Sequence, residues 1–494
     1  MIQRWLLHVA CICALAWPAF LNGQPFFFPD TTSYVRAADS AAYIFSGHRI
    51  STEWTEHYRR ALDPAAKRPE ARGHVAAHGN DIASQSIMAG RSPYFGALLW
   101  MTFLFGSFWL FVIAQAVAAY WLVHLTLRMF DVLTRQALLA TVSLLALGTS
   151  LPFFVGLLMP DLLAGFGMLA FLLMVIDRGR MRRWERTGVG ALLLLSLLSH
   201  LTHIVAIGAM LVLLPVGMRL GGRPWPEWRG AFLTTLTLLA IGLASVVLTG
   251  AVVERVFGRR PLLVPLLTAR FMADGPGLAY LRDHCDRPSF AACAWKDRSS
   301  VAAGEFLWSL DPARGGYMFA DAQTRRAMSD QDSAFALAVL AEHPIAQGGR
   351  IAYNATRQML RFEVDILNYH CAPGDRCWRS LPPRQRAALL SSLGGRNLWP
   401  QMLVARLQQA VVVISVLLLL AWSIRGRSST QADRDLLLWI GLFMIGAMVN
   451  ALLGGGVSEP QPRYQARIIW LIPLMASLAA LLWRRSGQSG EKHG

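Results

Sequence analysis

Three observations predict an all-α polytopic membrane protein with about ten membrane-spanning helices. The 494 residues are 54% hydrophobic and only 16% charged, with a mean hydropathy of +0.39, less charge than a soluble chain of this length exposes. Apolar runs recur at the length a helix needs to cross a bilayer, roughly 17 to 25 residues. Arginine is concentrated in alternate connections between those runs.

In chain order the runs fall at 4–22, 107–128, 136–153, 160–176, 187–203, 204–219, 230–252, 401–424, 435–453 and 467–483. The 187–219 region reads either as two short spans or as one long broken one. The first run is expected to be a retained helix. It exceeds a signal-peptide core in length, and Leu21-Asn22-Gly23-Gln24 offers no small-x-small cleavage site. One set of connections carries Arg128, Arg135, Arg178, Arg180, Arg182, Arg183, Arg186, Arg219, Arg223, Arg229, Arg425, Arg427, Arg434, Arg484, Arg485 and Lys492. The opposite short connections hold only Arg463 and Arg467. By the positive-inside rule both termini are cytoplasmic, and the long loops 23–106 and 253–400 face outward. The net charge of +17 is thus mainly a topology signal, and no basic soluble module suggests a nucleic-acid partner.

The organisation that follows is an N-terminal membrane module over 1–252, with about seven spans. An extracytoplasmic, mainly helical domain occupies 253–400, and a C-terminal module with about three spans and a cytoplasmic tail occupies 401–494. Within the first outer loop, Pro93–Phe105 is apolar but too short to cross, so it is expected to lie at the interface, with Tyr94, Trp100 and Trp109 in the aromatic belt. In the second, Ile351, Asn354, Gln358 and Arg361 fall along one helix side, and Asn354-Ala355-Thr356 matches a glycosylation sequon. Cys285/Cys293 and Cys371/Cys377 form two closely spaced pairs in that loop, which suggests two disulfides in an oxidising compartment. A zinc site is the rival, though the spacings do not suit zinc knuckles. Cys11 and Cys13 read as packing residues of the first span.

Two Pro-Asp pairs stand out against this apolar background: Pro29-Asp30 ends the first apolar segment, and Pro160-Asp161 lies in a region almost free of charge. An ionisable group near the hydrocarbon boundary is costly and usually serves a task or a partner. The orientation places both aspartates at the outer ends of spans, together with His200 and His203 of Ser199-His200-Leu201-Thr202-His203 and with Arg463, Tyr464 and Arg467. Each has a plainer reading. The aspartates suit helix N-termini, the histidines pack at a span end, and Arg463 anchors at the interface or pairs with Glu459. The first-loop histidines His48, His57, His74 and His78 show no ligand spacing, and no nucleotide-binding fingerprint occurs on the inner side.

Pro29-Asp30, then Arg91-Ser92-Pro93-Tyr94, then Gly106 and a span containing Gln115 resemble the layout of the GT-C membrane glycosyltransferases. The arrangement is similar to the lipid A aminoarabinose transferases and the protein O-mannosyltransferases, although Asp30 is followed by Thr31 where several of these families carry an Asp-Glu pair. The resemblance implies sugar transfer from a polyprenyl-phosphate carrier to a lipid, glycan or protein acceptor on the outer face of a bacterial inner membrane. It implies Asp30 as base or acceptor-orienting residue and gives Asp161 the place of a second acidic position. A lipid phosphate leaves as a stable anion, so one base suffices where ordinary glycoside hydrolysis needs two carboxylates. Positive charge must hold the phosphate; Arg463 and Arg467 are the leading candidates, with Arg91 and Arg270 behind them. Tyr464, Tyr94, His200 and His203 complete the candidate site. Asp161 could orient the acceptor or the sugar, or share a divalent cation (Mg or Mn) with Asp30, though no spacing argues for a metal. The alternatives are a transporter or flippase of a lipid-linked or polar substrate, which would show internal repeats and broken helices at the midplane, and a non-catalytic envelope-assembly protein.

Overall fold

A computed structural model of the chain describes residues 2–62, 88–89, 91–286, 290–309, 311–369, 371, 376–425 and 430–490. Lys67, Glu70, His74, His78, Asp81, Gly90, Arg427 and Lys492 lie outside them. The N-terminal part runs α1 (Ile2–Asn22), α2 (Thr31–Phe45), α3 (Glu53–Leu62), α4 (Pro93–Leu104), α5 (Phe108–Met129), α6 (Arg135–Gly148), α7 (Leu151–Val155), α8 (Asp161–Ile176), α9 (Arg183–Ser199), α10 (Leu201–Leu220) and α11 (Trp225–Phe257). The segment expected to face outward, here the outer segment, adds α12 (Leu266–Asp274), α13 (Pro276–His284), α14 (Ala303–Trp308), α15 (Ala322–Glu342), α16 (Pro344–Leu360), α17 (Arg376–Arg379) and α18 (Pro383–Ser391). The chain closes with α19 (Gln401–Arg425), α20 (Gln431–Ala451), α21 (Pro462–Ile469) and α22 (Leu471–Gly490). A π-helical stretch, Leu452–Val457, follows α20. A two-residue parallel pair joins Met88–Ala89 to Leu262–Leu263.

Among the described residues seven helices are long and apolar enough to cross a membrane: Trp5–Asn22, Phe108–Met129, Leu201–Leu220, Trp225–Phe257, Gln401–Ile424, Gln431–Val457 and Pro462–Arg485. They match seven of the ten expected spans. The expected spans 136–153, 160–176 and 187–203 fall on α6, α8 and α9, of 14, 16 and 17 residues. Those helices are only about 21, 24 and 26 Å long, against a hydrocarbon core of about 30 Å. Length alone therefore supports seven crossings.

Local chemistry explains the breaks. Ser92 accepts from the Phe95 amide at 3.2 Å, with Pro93 in the first turn, and so starts α4. Gly106, at φ +144, turns the chain between α4 and α5 in a conformation that side chains disfavour. The 187–219 region is two helices, because His200 is extended and its Nδ1 accepts from the Thr202 amide at 3.2 Å as the cap of α10.

All sixteen residues of α8 are buried, as expected of a helix apolar on every side. Its neighbours are α9, α21, α5, α11, α10, α20 and α7. Glycine permits two of these approaches: a Cβ on Gly167 would meet Ser196 Oγ at 2.3 Å, and one on Gly165 would meet Trp470 Nε1 at 2.7 Å.

The arginine-rich connections meet one another at one end of the bundle. Arg128 pairs with Glu185 at 2.6 Å, Arg180 with Asp131, and Arg178 and Arg223 with Asp435. At the opposite end the first loop is held by a buried carboxylate. Asp39 of α2 accepts from Thr52 (2.7 Å) and Thr55 (2.5 Å) beside α3 and from Trp100 Nε1 (2.8 Å) of α4. The outer segment divides between two cores. Residues from Ala269 to Val339 enclose a core of their own, whereas Val364 to Trp399 join the main core. Disulfides link Cys285 to Cys293 and Cys371 to Cys377; Cys11 and Cys13 are free. The sequon residue Asn354 is buried, and its amide donates to Asp274 at 2.9 Å, which removes it from the surface a glycan requires.

Candidate active site

The two Pro-Asp segments are tied together by backbone. Phe26 N donates to Gly156 O (2.8 Å) and Leu158 N to Phe26 O (3.0 Å), a short parallel bridge just before each proline. Thr31 Oγ1 donates to Leu158 O at 3.1 Å, and Gln115 of α5 braces the same turn by donating to Val155 O (2.9 Å) and Leu157 O (3.3 Å). Extended backbone buried at this depth needs such partners, and the chain supplies them. Asp30 and Asp161 are thereby delivered to one place.

Neither aspartate acts as a side-chain helix cap. Asp30 occupies the N-cap position of α2 without a capping hydrogen bond, and its carboxylate instead pairs with Arg91 at 2.6 Å. Asp161 opens α8 and faces Arg463 at 3.7 Å and Arg467 at 3.6 Å. Their settings differ: the Asp30 side chain is 28% exposed and the Asp161 side chain 4%. One carboxylate is reachable from outside, and the other is enclosed between guanidinium groups.

Arg463 and Arg467 come from one turn of α21, which Pro462 opens. Arg463 lies over the Phe28 ring at 4.0 Å, and both arginines lie near the face of Tyr464, at 5.5 and 5.6 Å. Arg467 Nη2 donates to Asn450 Oδ1 (2.7 Å) of α20 and to Thr202 Oγ1 (3.3 Å) of α10. Asn450 in turn donates to Tyr464 O (2.6 Å) and Gln465 Oε1 (2.8 Å), which fixes the start of α21. Two guanidinium N–H groups, Arg463 Nη1 and Arg467 Nε, are buried without a hydrogen-bond acceptor among the described residues. Buried donors in that state are uncommon and call for a partner.

Thr202 connects Arg467 to a histidine. Its hydroxyl accepts from Arg467 and lies 2.8 Å from His200 Nδ1, which also accepts the Thr202 amide. The neutral His200 ring therefore carries its proton on Nε2. His203 lies beside it, ring centroids 5.5 Å apart, with its Nδ1 3.0 Å from Ser196 O between α9 and α10. Tyr34 lies one turn after Asp30, is buried, and meets Phe95 edge-on at 4.9 Å. Burial pushes its phenol up to about 12; Arg91, whose guanidinium lies 5.7 Å from the ring centre, and Arg463 oppose that shift, and Asp30 and Asp161 reinforce it.

The expected residues Asp30, Asp161, Arg91, Arg463, Arg467, Tyr464 and His200 thus form one cluster. Tyr94 is half-buried on α4, and no hydrogen bond, ion pair or ring contact among the described residues joins it to the cluster. Arg270 is elsewhere: it pairs with Asp274 at 2.6 Å inside the outer segment's own core. Glu459 does not pair with Arg463 but abuts Gly304. Tyr34, Phe28, Thr202, Asn450 and Asp365 are additions that sequence reasoning missed; Asp365 acts electrostatically on Arg463. The donor set does not fit a divalent cation, because each aspartate already faces arginine. Among the described residues no group of three or more His, Cys, Asp or Glu could hold one. The chain matches no family profile, no characterised protein and no solved structure in the three comparisons made.

Proposed function

We propose that the chain is an integral membrane glycosyltransferase of GT-C type, moving a sugar from a polyprenyl-phosphate carrier to an acceptor on the outer face of a bacterial inner membrane. The observation that carries this reading is that two guanidinium nitrogens, Arg463 Nη1 and Arg467 Nε, are buried without a hydrogen-bond acceptor among the described residues, beside a part-exposed carboxylate, Asp30. Such donors suit a phosphate oxygen, and a part-exposed carboxylate suits an acceptor hydroxyl.

In this mechanism the acceptor oxygen attacks the anomeric carbon and Asp30 takes its proton. The bond from that carbon to the phosphate oxygen breaks, and the electron pair stays on the phosphate. Arg463 and Arg467 neutralise the charge that develops there. Asp161, enclosed between them, is the counter-ion that keeps both guanidiniums side by side, a positioning role in place of the catalytic one expected for it. Ten passes with both termini cytoplasmic complete the reading, with α6, α8 and α9 as short crossings.

Asp30→Asn is expected to lower transfer from a polyprenyl-linked sugar by at least about 100-fold, the usual scale for a lost general base. Carrier binding should persist, because the phosphate donors remain. Full activity in Asp30→Asn would remove Asp30 from the mechanism.

A further inference from the structure

The arginine pair sits at the end of a segment that the outer helix α16 grips. The Gln358 side chain is fully buried and bonds the Gln461 backbone in both directions. Its Nε2 donates to Gln461 O at 2.8 Å, and its Oε1 accepts from Gln461 N at 2.8 Å. Arg361 Nη1 donates to Pro460 O at 2.9 Å, and Gln465 Nε2 reaches Met359 Sδ at 3.1 Å. Residues 460 and 461 immediately precede the turn that carries Arg463 and Arg467.

The contact leaves no slack. A Cβ on Gly455 would meet Asn354 O at 2.4 Å and Gln358 Cβ at 2.7 Å, and one on Gly456 would meet Ile351 Cγ2 at 3.0 Å. Along the same face, toward its N-terminal end, α16 is anchored in the outer segment, where Asp274 accepts from Gln347 (3.0 Å), Asn354 (2.9 Å) and Arg270 (2.6 Å). Polar side chains thus connect the outer core to the backbone two residues before Arg463. A buried side-chain amide that satisfies both backbone groups of one residue fixes its position more closely than apolar packing does.

We infer that Gln358 and Arg361 are positioning residues for the anion site: they hold α21 so that the Arg463 and Arg467 guanidiniums converge on a phosphate. The inference rests on the proposed phosphate role of those arginines. It adds a function for the outer segment, which sets the geometry of the site without touching the substrate.

The probes are farnesyl phosphate and farnesol, with binding measured calorimetrically on the full-length protein in detergent. Gln358→Leu removes both bonds to the Gln461 backbone, and the longer one to Arg361 O (3.4 Å), at similar volume and should weaken farnesyl phosphate binding about tenfold, the scale of one or two lost buried hydrogen bonds. Farnesol binding should stay unchanged, while the unfolding midpoint falls modestly because the Gln461 N–H and C=O lose their partner. Arg361→Gln should act in the same direction but more weakly, and Arg361→Lys should recover part of the loss. Unchanged farnesyl phosphate affinity in Gln358→Leu, alongside a loss in Arg463→Gln, would overturn the positioning role and leave the phosphate site intact. Parallel losses for both ligands and for stability would overturn it as well, since they report general damage. If wild-type protein does not distinguish farnesyl phosphate from farnesol, the phosphate reading itself fails and takes the inference with it.

Discussion

Removing the Asp161 carboxylate would leave Arg463 and Arg467 as neighbouring buried cations with side chains only 11% and 5% exposed. Stripping one partner from a buried ionic group typically costs about 3–5 kcal/mol. Asp30→Asn should cost under about 1 kcal/mol, because its pair with Arg91 is part-exposed and screened. Asp161→Asn is therefore expected to lower the unfolding midpoint and carrier binding together, whereas Asp30→Asn lowers turnover alone. Thermal unfolding and carrier titration of the two variants check this, and equal midpoints would mean that Asp161 is not the shared counter-ion. The ionic residues were legible because a charge in an apolar context is conspicuous. Tyr34 was legible in principle, four residues and one turn after Asp30, as was Asn450, a polar residue inside an apolar span. Asp365 gave no such signal, since an acid in a polar outer segment is ordinary.

At the scale of elements, short helices and glycines bring the cluster together. The α8 helix reaches from Asp161 in the cluster to Asp177 and Arg178 at the arginine-rich end with only 16 helical residues. The α9 helix runs from Arg183 to the cap at His200 with 17. Helix α4 lies along α2 so closely that a Cβ on Gly96 would meet the Tyr34 carbonyl oxygen at 2.8 Å. Backbone cannot move aside as a flexible side chain does, so Gly96→Ala should part the two helices at a cost of about 1–3 kcal/mol. It should also lengthen the Asp30–Arg91 contact, because Arg91 enters α4 just ahead of the clash. Activity should fall several-fold more than in Gly190→Ala, where nothing lies within 4 Å of the added Cβ. Comparable activity in the two would show that the α2–α4 spacing does not set the site. Helix positions were readable from apolar runs, and the inward face of α16 from its periodicity. The pairing of α2 with α4 was not, because a missing side chain shows no preference until its neighbour is known.

For the whole molecule the open question is how many helices cross. If only the seven long helices cross, 258–400 lies on the same side as the connection between α5 and α6. If α6, α8 and α9 cross as well, the two lie on opposite sides. The ten crossings proposed above give the second arrangement, and the contacts support that reading. The ends of α5, α8, α9 and α20 that carry Arg128, Arg178, Glu185 and Asp435 meet at one end. The other ends of α8 and α9 meet α10 and α21 in the Asp161–Arg467–Thr202–His200 cluster. A helix about 24 Å long joins two such ends only if the protein is thinner there than an average bilayer core. That thinning would recess the cluster toward the hydrocarbon, where paired charges hold and lone ones do not. The apolar run 136–153 continues past the end of α6 into α7, and 187–203 continues past His200 into α10, whereas α8 fills its expected 160–176 and is simply short. Single cysteines decide the matter in a chain whose Cys11 and Cys13 are replaced by alanine. Ser391→Cys and Gln136→Cys are both on exposed positions. A membrane-impermeant maleimide added to intact cells should label Ser391→Cys at once and Gln136→Cys only after permeabilisation. Labelling of both from the same side would restrict the crossings to the seven long helices, and would put the outer segment and its grip on α21 in the cytoplasm.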